Sequence, residues 1–65
     1  RPGTLTDEPG TGRVRAGLAI PYGNIPRADV AATLLGLIEH PQVRRRIIEL
    51  TEGETPVFEA LQALT

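Results

Sequence analysis

Several residues of this chain have side chains that could do chemistry. His40 could act as a general base or a ligand. It is the only histidine, so no second imidazole can share such work. A position at the end of a helix suits it better, where its ring meets the negative end of the helix dipole. Tyr22 could be a catalytic acid, but Pro26 stands four positions on, so no Tyr-x-x-x-Lys pair forms. A loop or packing role is the simpler expectation.

Arg44, Arg45 and Arg46 could bind phosphate or an acidic partner through bidentate guanidinium contacts. Three charges without interleaved aromatics read more simply as a solvated run. Gly10-Thr11-Gly12 begins a GxGxxG-like pattern, yet Arg15 stands where the third glycine belongs. The run also precedes a predicted strand, whereas the dinucleotide fingerprint follows one. It is expected to be a turn. Arg27 and Asp29 are expected to anchor a helix start through the dipole and nearby backbone groups.

Composition removes further chemistry. The 65 residues contain no Cys, Ser, Lys, Met or Trp. Without Ser and Cys the two commonest nucleophiles are missing, and without Lys there is no Schiff base or P-loop lysine. A disulfide framework and a thiolate zinc site are excluded too. This chain is not expected to catalyse anything alone. Its formal net charge of −1 argues against a general nucleic-acid or membrane-surface binder. Salt-sensitive nucleic-acid binding through Arg44–Arg46 is thereby disfavoured. No apolar run nears the roughly 20 residues of a membrane span, and a cytoplasmic location is expected.

The elements that must position these groups follow from periodicity. Residues 1–12 hold Pro2, Gly3, Pro9, Gly10 and Gly12, which predicts an exposed loop with a turn at Glu8-Pro9-Gly10. Residues 13–20 alternate, with Val14, Ala16, Leu18 and Ile20 on one face, which predicts a half-buried strand. Gly17 could mark a bulge. Residues 21–24 then make a turn.

Residues 25–40 predict the main helix. Pro26 suits its first turn, Pro41 stops it, and Val30, Ala31, Leu34, Leu35, Leu37 and Ile38 form one wide apolar face. Gly36, an interior glycine costing roughly 1 kcal/mol relative to Ala, is expected to allow close packing on a sheet. Residues 46–51 predict a buried strand and residues 52–54 a turn. Thr55 then reads as a helix N-cap with Pro56 at the first position. The order is loop, strand, helix, strand, helix. Two short strands are marginal in water, so another chain segment or a second copy is expected to complete the core.

Taken together, Arg1-Pro2-Gly3, residues 6–12, Ile25-Pro26-Arg27-Ala28-Asp29-Val30-Ala31 and Ile48-Glu49-Leu50-Thr51-Glu52-Gly53 resemble one continuous profile. It is similar to the C-terminal part of the atypical short-chain dehydrogenase/reductases, NmrA-like and biliverdin reductase B-like (flavin reductase) members among them. The resemblance implies an α/β fold: residues 1–65 would be a single segment, a C-terminal fragment of a Rossmann-type doubly wound domain. It implies NAD or NADP as cofactor of the complete domain, and a small-molecule substrate.

In that family the RPG-like motif ends a parallel strand near the nicotinamide. Pro2, Gly3, Thr4 and Leu5 are therefore the implied cofactor contacts, with residues 6–24 beside the substrate pocket. Backbone at the carboxyl end of a parallel strand is where such ligands bind. The resemblance implies no metal. The implied partner is the N-terminal remainder of the domain, which would carry the pyrophosphate site. An oxidoreductase or epimerase-like parent is the leading expectation. A dinucleotide sensor without catalysis, or a free-standing dimerisation or interaction module, are the alternatives.

Overall fold

The computed structural model describes residues 1–43 and 46–65. Arg44 and Arg45 of the arginine run lie outside the described residues. The described residues form five short strands and two helices, in the order β1 (Thr4–Thr6), β2 (Arg13–Gly17), β3 (Asn24–Pro26), α1 (Arg27–Glu39), β4 (Glu49–Glu52), β5 (Thr55–Pro56) and α2 (Val57–Gln62).

The strands form two small sheets joined at one point. β1 runs parallel to β3, with Leu5 opposite Ile25. β2 lies between β4 and β5 and is antiparallel to both. A parallel bridge between Pro2 and Leu50 connects the two. Around it the Arg1 nitrogen donates to the Ile48 carbonyl at 2.6 Å. The Leu50 N–H donates to the Arg1 carbonyl and the Gly3 N–H to the Leu50 carbonyl, each at 2.8 Å. Residues 1–6 thus run parallel to residues 48–50 first and to β3 next.

This corrects the expected loop over residues 1–12, which shrinks to residues 7–12. At Gly3 the segment passes from its pairing with residues 48–50 to β1 in the other sheet. Both of its partners are remote in sequence, so local composition could not reveal them. β2 stops at Gly17, and Leu18, expected on its inner face, is exposed. Ile25 is a fully buried strand residue instead of the first residue of the helix. Residues 46–48 precede β4, and the strand runs to Glu52 instead of Thr51.

Each helix begins directly after a strand that ends in proline. Pro26 and Pro56 precede the first helical residues with extended ψ, and neither helix has a side-chain cap. Thr55 is therefore no N-cap; it pairs with Val14 in the sheet. One orphan N–H of α2 is satisfied from afar, Val57 donating to the Gly12 carbonyl at 3.1 Å.

The core is Val14, Ile25, Leu50, Val57, Ala60 and Leu61. α1 meets it with an unexpected face, since its buried residues are Asp29, Thr33 and Gly36. Gly36 packs on α2 and not on a sheet: a Cβ there would lie 2.7 Å from Leu61 Cδ1 and 3.3 Å from Val57 Cγ1. Of the expected apolar face, Val30 and Leu37 are half-buried, while Leu34, Leu35 and Ile38 are exposed by 58%, 64% and 77%. At 3.6 residues per turn, Ala31, Leu34, Leu35 and Ile38 share one arc. Large apolar side chains on one arc are the mark of a face built for burial. No described helix is long and apolar enough to cross a membrane.

Candidate functional site

The parallel pairing of residues 1–3 with residues 48–50 makes the floor of a cleft of about 370 Å³. Arg1, Pro2 and Gly3 line one side; Glu49, Leu50 and Thr51 line the other; Ile20, Pro21 and Tyr22 cross above. Alternation along β4 puts Glu49 and Thr51 toward this cleft. Ile48 and Leu50 line a smaller cavity of about 100 Å³ with Val30, Thr33, Leu34 and Leu37 of α1.

Of the four residues the family resemblance singles out, Pro2 and Gly3 line the cleft. Thr4 joins it only through its hydroxyl, which lies 2.6 Å from the Tyr22 hydroxyl. Leu5 lies outside the lining, partly exposed. Gly3 has a purpose of its own in the sheet. A Cβ on it would lie 1.9 Å from the Gly23 carbonyl oxygen. Thr4 then donates its N–H to that same oxygen at 3.0 Å. The Thr51 side chain packs over both glycines, with its Cγ2 3.4 Å from a Cβ built on Gly3 and 3.5 Å from one on Gly23.

Asp29 is the buried charged group of the molecule's described part, at 1% exposure. It receives the Thr11 N–H at 3.0 and 3.1 Å on its two oxygens and the Gly12 N–H at 2.8 Å. The Thr11 hydroxyl adds a longer bond of 3.4 Å. The expected anchoring role therefore holds, but the partner is the loop before β2 and not the helix's own start. Gly12 has φ +73°, a left-handed conformation in which glycine alone is unstrained. Gly10-Thr11-Gly12 is thus a turn wrapped on a carboxylate. A negative group there is the opposite of a phosphate cradle.

Arg27, His40 and Arg46 have structural partners. Arg27 pairs with Asp7 at 2.9 Å on an open surface, where such pairs contribute little. His40 caps α1, its Nδ1 2.8 Å from the Gly36 carbonyl, and its ring meets Phe58 edge-on at 4.8 Å. Arg46 donates to the Leu64 carbonyl at 2.9 Å. Tyr22 does not pack; it is 80% exposed at the cleft mouth. Glu49 was not singled out from sequence. Its Oε1 accepts the Ile20 N–H at 2.8 Å and holds residues 20–22 at the cleft. Only the strand alternation of β4 could have hinted at it. No cluster of three metal-ligating side chains occurs among the described residues.

The chain superposes on a crystal structure of the oxidoreductase ylbE from Lactococcus lactis with a TM-score of 0.91 and 30% identity. The match covers 98% of this chain and 29% of that one. The fold is an α/β segment of the Rossmann type. The chain is also 45% identical over 64 residues to the uncharacterised sugar epimerase YhfK of Bacillus subtilis (strain 168). That alignment takes in 98% of this chain and 30% of YhfK, so the chain spans less than a third of that relative's length. No protein-family model matches the chain.

Proposed function

We propose that this chain acts as the C-terminal segment of a NAD(P)-dependent oxidoreductase, one wall of whose nicotinamide and substrate site is the cleft over Pro2 and Gly3. The observation that carries the reading is that cleft itself: a floor of backbone at Pro2, Gly3 and Leu50 laid down by parallel pairing, in a segment that superposes on an oxidoreductase. In this reading the parent is an atypical short-chain dehydrogenase/reductase, NmrA-like or biliverdin reductase B-like.

The residues suit one end of a dinucleotide only. A floor of strand backbone that starts with Pro-Gly can flank a nicotinamide ring. Among the described residues no backbone cradle for the phosphates is present. A pyrophosphate needs free N–H groups at a helix N-terminus, and the first turn of α1 carries the Asp29 carboxylate. The bound cofactor supplies hydride from its reduced ring, and the protein supplies orientation and a pocket. In that arrangement Pro2, Gly3, Thr4 and Leu5 form the cofactor side, and residues 20–22 the substrate side. The preceding part of the domain supplies the phosphate site and covers Leu34, Leu35 and Ile38 of α1.

The test is turnover by the full-length protein that carries this segment. NADH and NADPH oxidation is followed at constant protein with a quinone or a free flavin as acceptor. Oxidation of one of the two supports the reading. Dinucleotide binding without turnover on any acceptor would make the protein a sensor. No dinucleotide binding at all would overturn the reading.

A further inference from the structure

Residues 20–22, beyond the end of β2, line the cleft as a short strap held at two points. At one, Ile20 donates its N–H to Glu49 Oε1 at 2.8 Å. At the other, the Tyr22 and Thr4 hydroxyls lie 2.6 Å apart. Pro21 between them fixes φ and stiffens the span. Within this segment the aromatic ring is 80% exposed.

Each hydroxyl has one proton to give and two lone pairs to receive. Their mutual contact uses one proton. The hydroxyl that accepts keeps its own proton, and the bond it accepts polarises it toward a further acceptor. The rim of the cleft therefore offers one spare O–H donor beside an open aromatic face. One cation, Arg1, and one anion, Glu49, line the same cleft, which gives it no net attraction for a polyanion.

We propose that Tyr22 is the specificity-determining residue of this cleft. Its ring stacks on a flat neutral ring, and its hydroxyl, which accepts the Thr4 proton, donates its own proton to a carbonyl oxygen carried on that ring. Glu49 is a positioning residue that acts through the strap. The proposal rests on the oxidoreductase reading above and names the substrate chemistry of the same site.

Menadione is the probe, with NADH or NADPH, on the full-length protein. Y22F removes the hydroxyl and keeps the ring. It is expected to raise KM for menadione up to about tenfold, the worth of one hydrogen bond, with dinucleotide affinity unchanged. E49A, which frees the strap, is expected to raise KM similarly, and E49Q to restore it because the amide oxygen still accepts the Ile20 N–H. A purely structural role for Glu49 would show as lost folding in E49A and not as a KM change.

A Y22F enzyme with the KM of the parent overturns this proposal alone. So does a protein that binds NAD(P)H but does not oxidise it on menadione, since the substrate class is then wrong. A protein that binds no dinucleotide overturns the underlying reading, and this one with it.

Discussion

The Asp29 carboxylate lies 2.8 Å from the amide nitrogen of Gly12, a residue seventeen positions earlier in the chain. Gly12 in turn gives its carbonyl to the first N–H of α2. One buried side chain thereby ties the start of α1, the loop before β2 and the start of α2 together. Replacing it should be felt in all three. D29A leaves the Thr11 and Gly12 N–H groups without their partner, at about 1–3 kcal/mol for each unsatisfied group. We expect a loss of about 2–4 kcal/mol in urea unfolding of the full-length protein. D29N keeps one accepting oxygen and should lose less. Equal midpoints for D29A and the parent would refute the clamp.

Gly3 separates a structural demand from a ligand-binding one. A methyl group there meets a backbone oxygen at 1.9 Å, which no side-chain rotation can relieve. G3A should therefore lower the thermal midpoint whether or not dinucleotide is present, by several degrees or more. An unchanged midpoint with weakened dinucleotide binding would assign Gly3 to the ligand alone.

The contact between α1 and α2 turns on Gly36. Alanine is the better helix former by about 1 kcal/mol, yet its methyl would press on Leu61, a side chain with no exposure. Overpacking of this kind costs about 1–3 kcal/mol. G36A is expected to be destabilising on balance, and much less so when combined with L61A. Stabilisation by G36A alone would show that the two helices can move apart freely.

The open arc of α1 tests whether more chain packs on it. I38D in the full-length protein should cost about 2–4 kcal/mol if the side chain is buried there, since it removes apolar burial and inserts a charge. The same substitution in the 65-residue chain alone should have little effect on stability, because Ile38 is 77% exposed. No loss in either form would mean that the arc faces solvent throughout.

The helices were legible in the sequence because their periodicity is local. Residues 27–39 carry apolar side chains at helical spacing, and Pro41 closes them. Which face the helix buries was not legible. The core-facing side is Asp29, Thr33 and Gly36, whose value comes from a carboxylate clamp and from Leu61 across the gap. β1, β3 and β5 have two or three residues each, too few for an alternation to show. Their existence depends on partners some 20 to 40 positions away. The cleft has the same character. Pro2 and Gly3 stood out through resemblance, but Glu49 matters through a single bond to Ile20, and no spacing rule links the two.

In the proposed function Pro2 and its neighbours face the nicotinamide. This placement is tested most directly by isotope-edited NOE spectroscopy on the full-length protein, labelled at Pro, Gly, Thr and Leu, with NADPH or NADH bound. Cross-peaks are expected between nicotinamide ring protons and Pro2, with Gly3 close by and Tyr22 absent from the cofactor set. Bound dinucleotide whose ring protons show no cross-peak to residues 1–5 would contradict that placement.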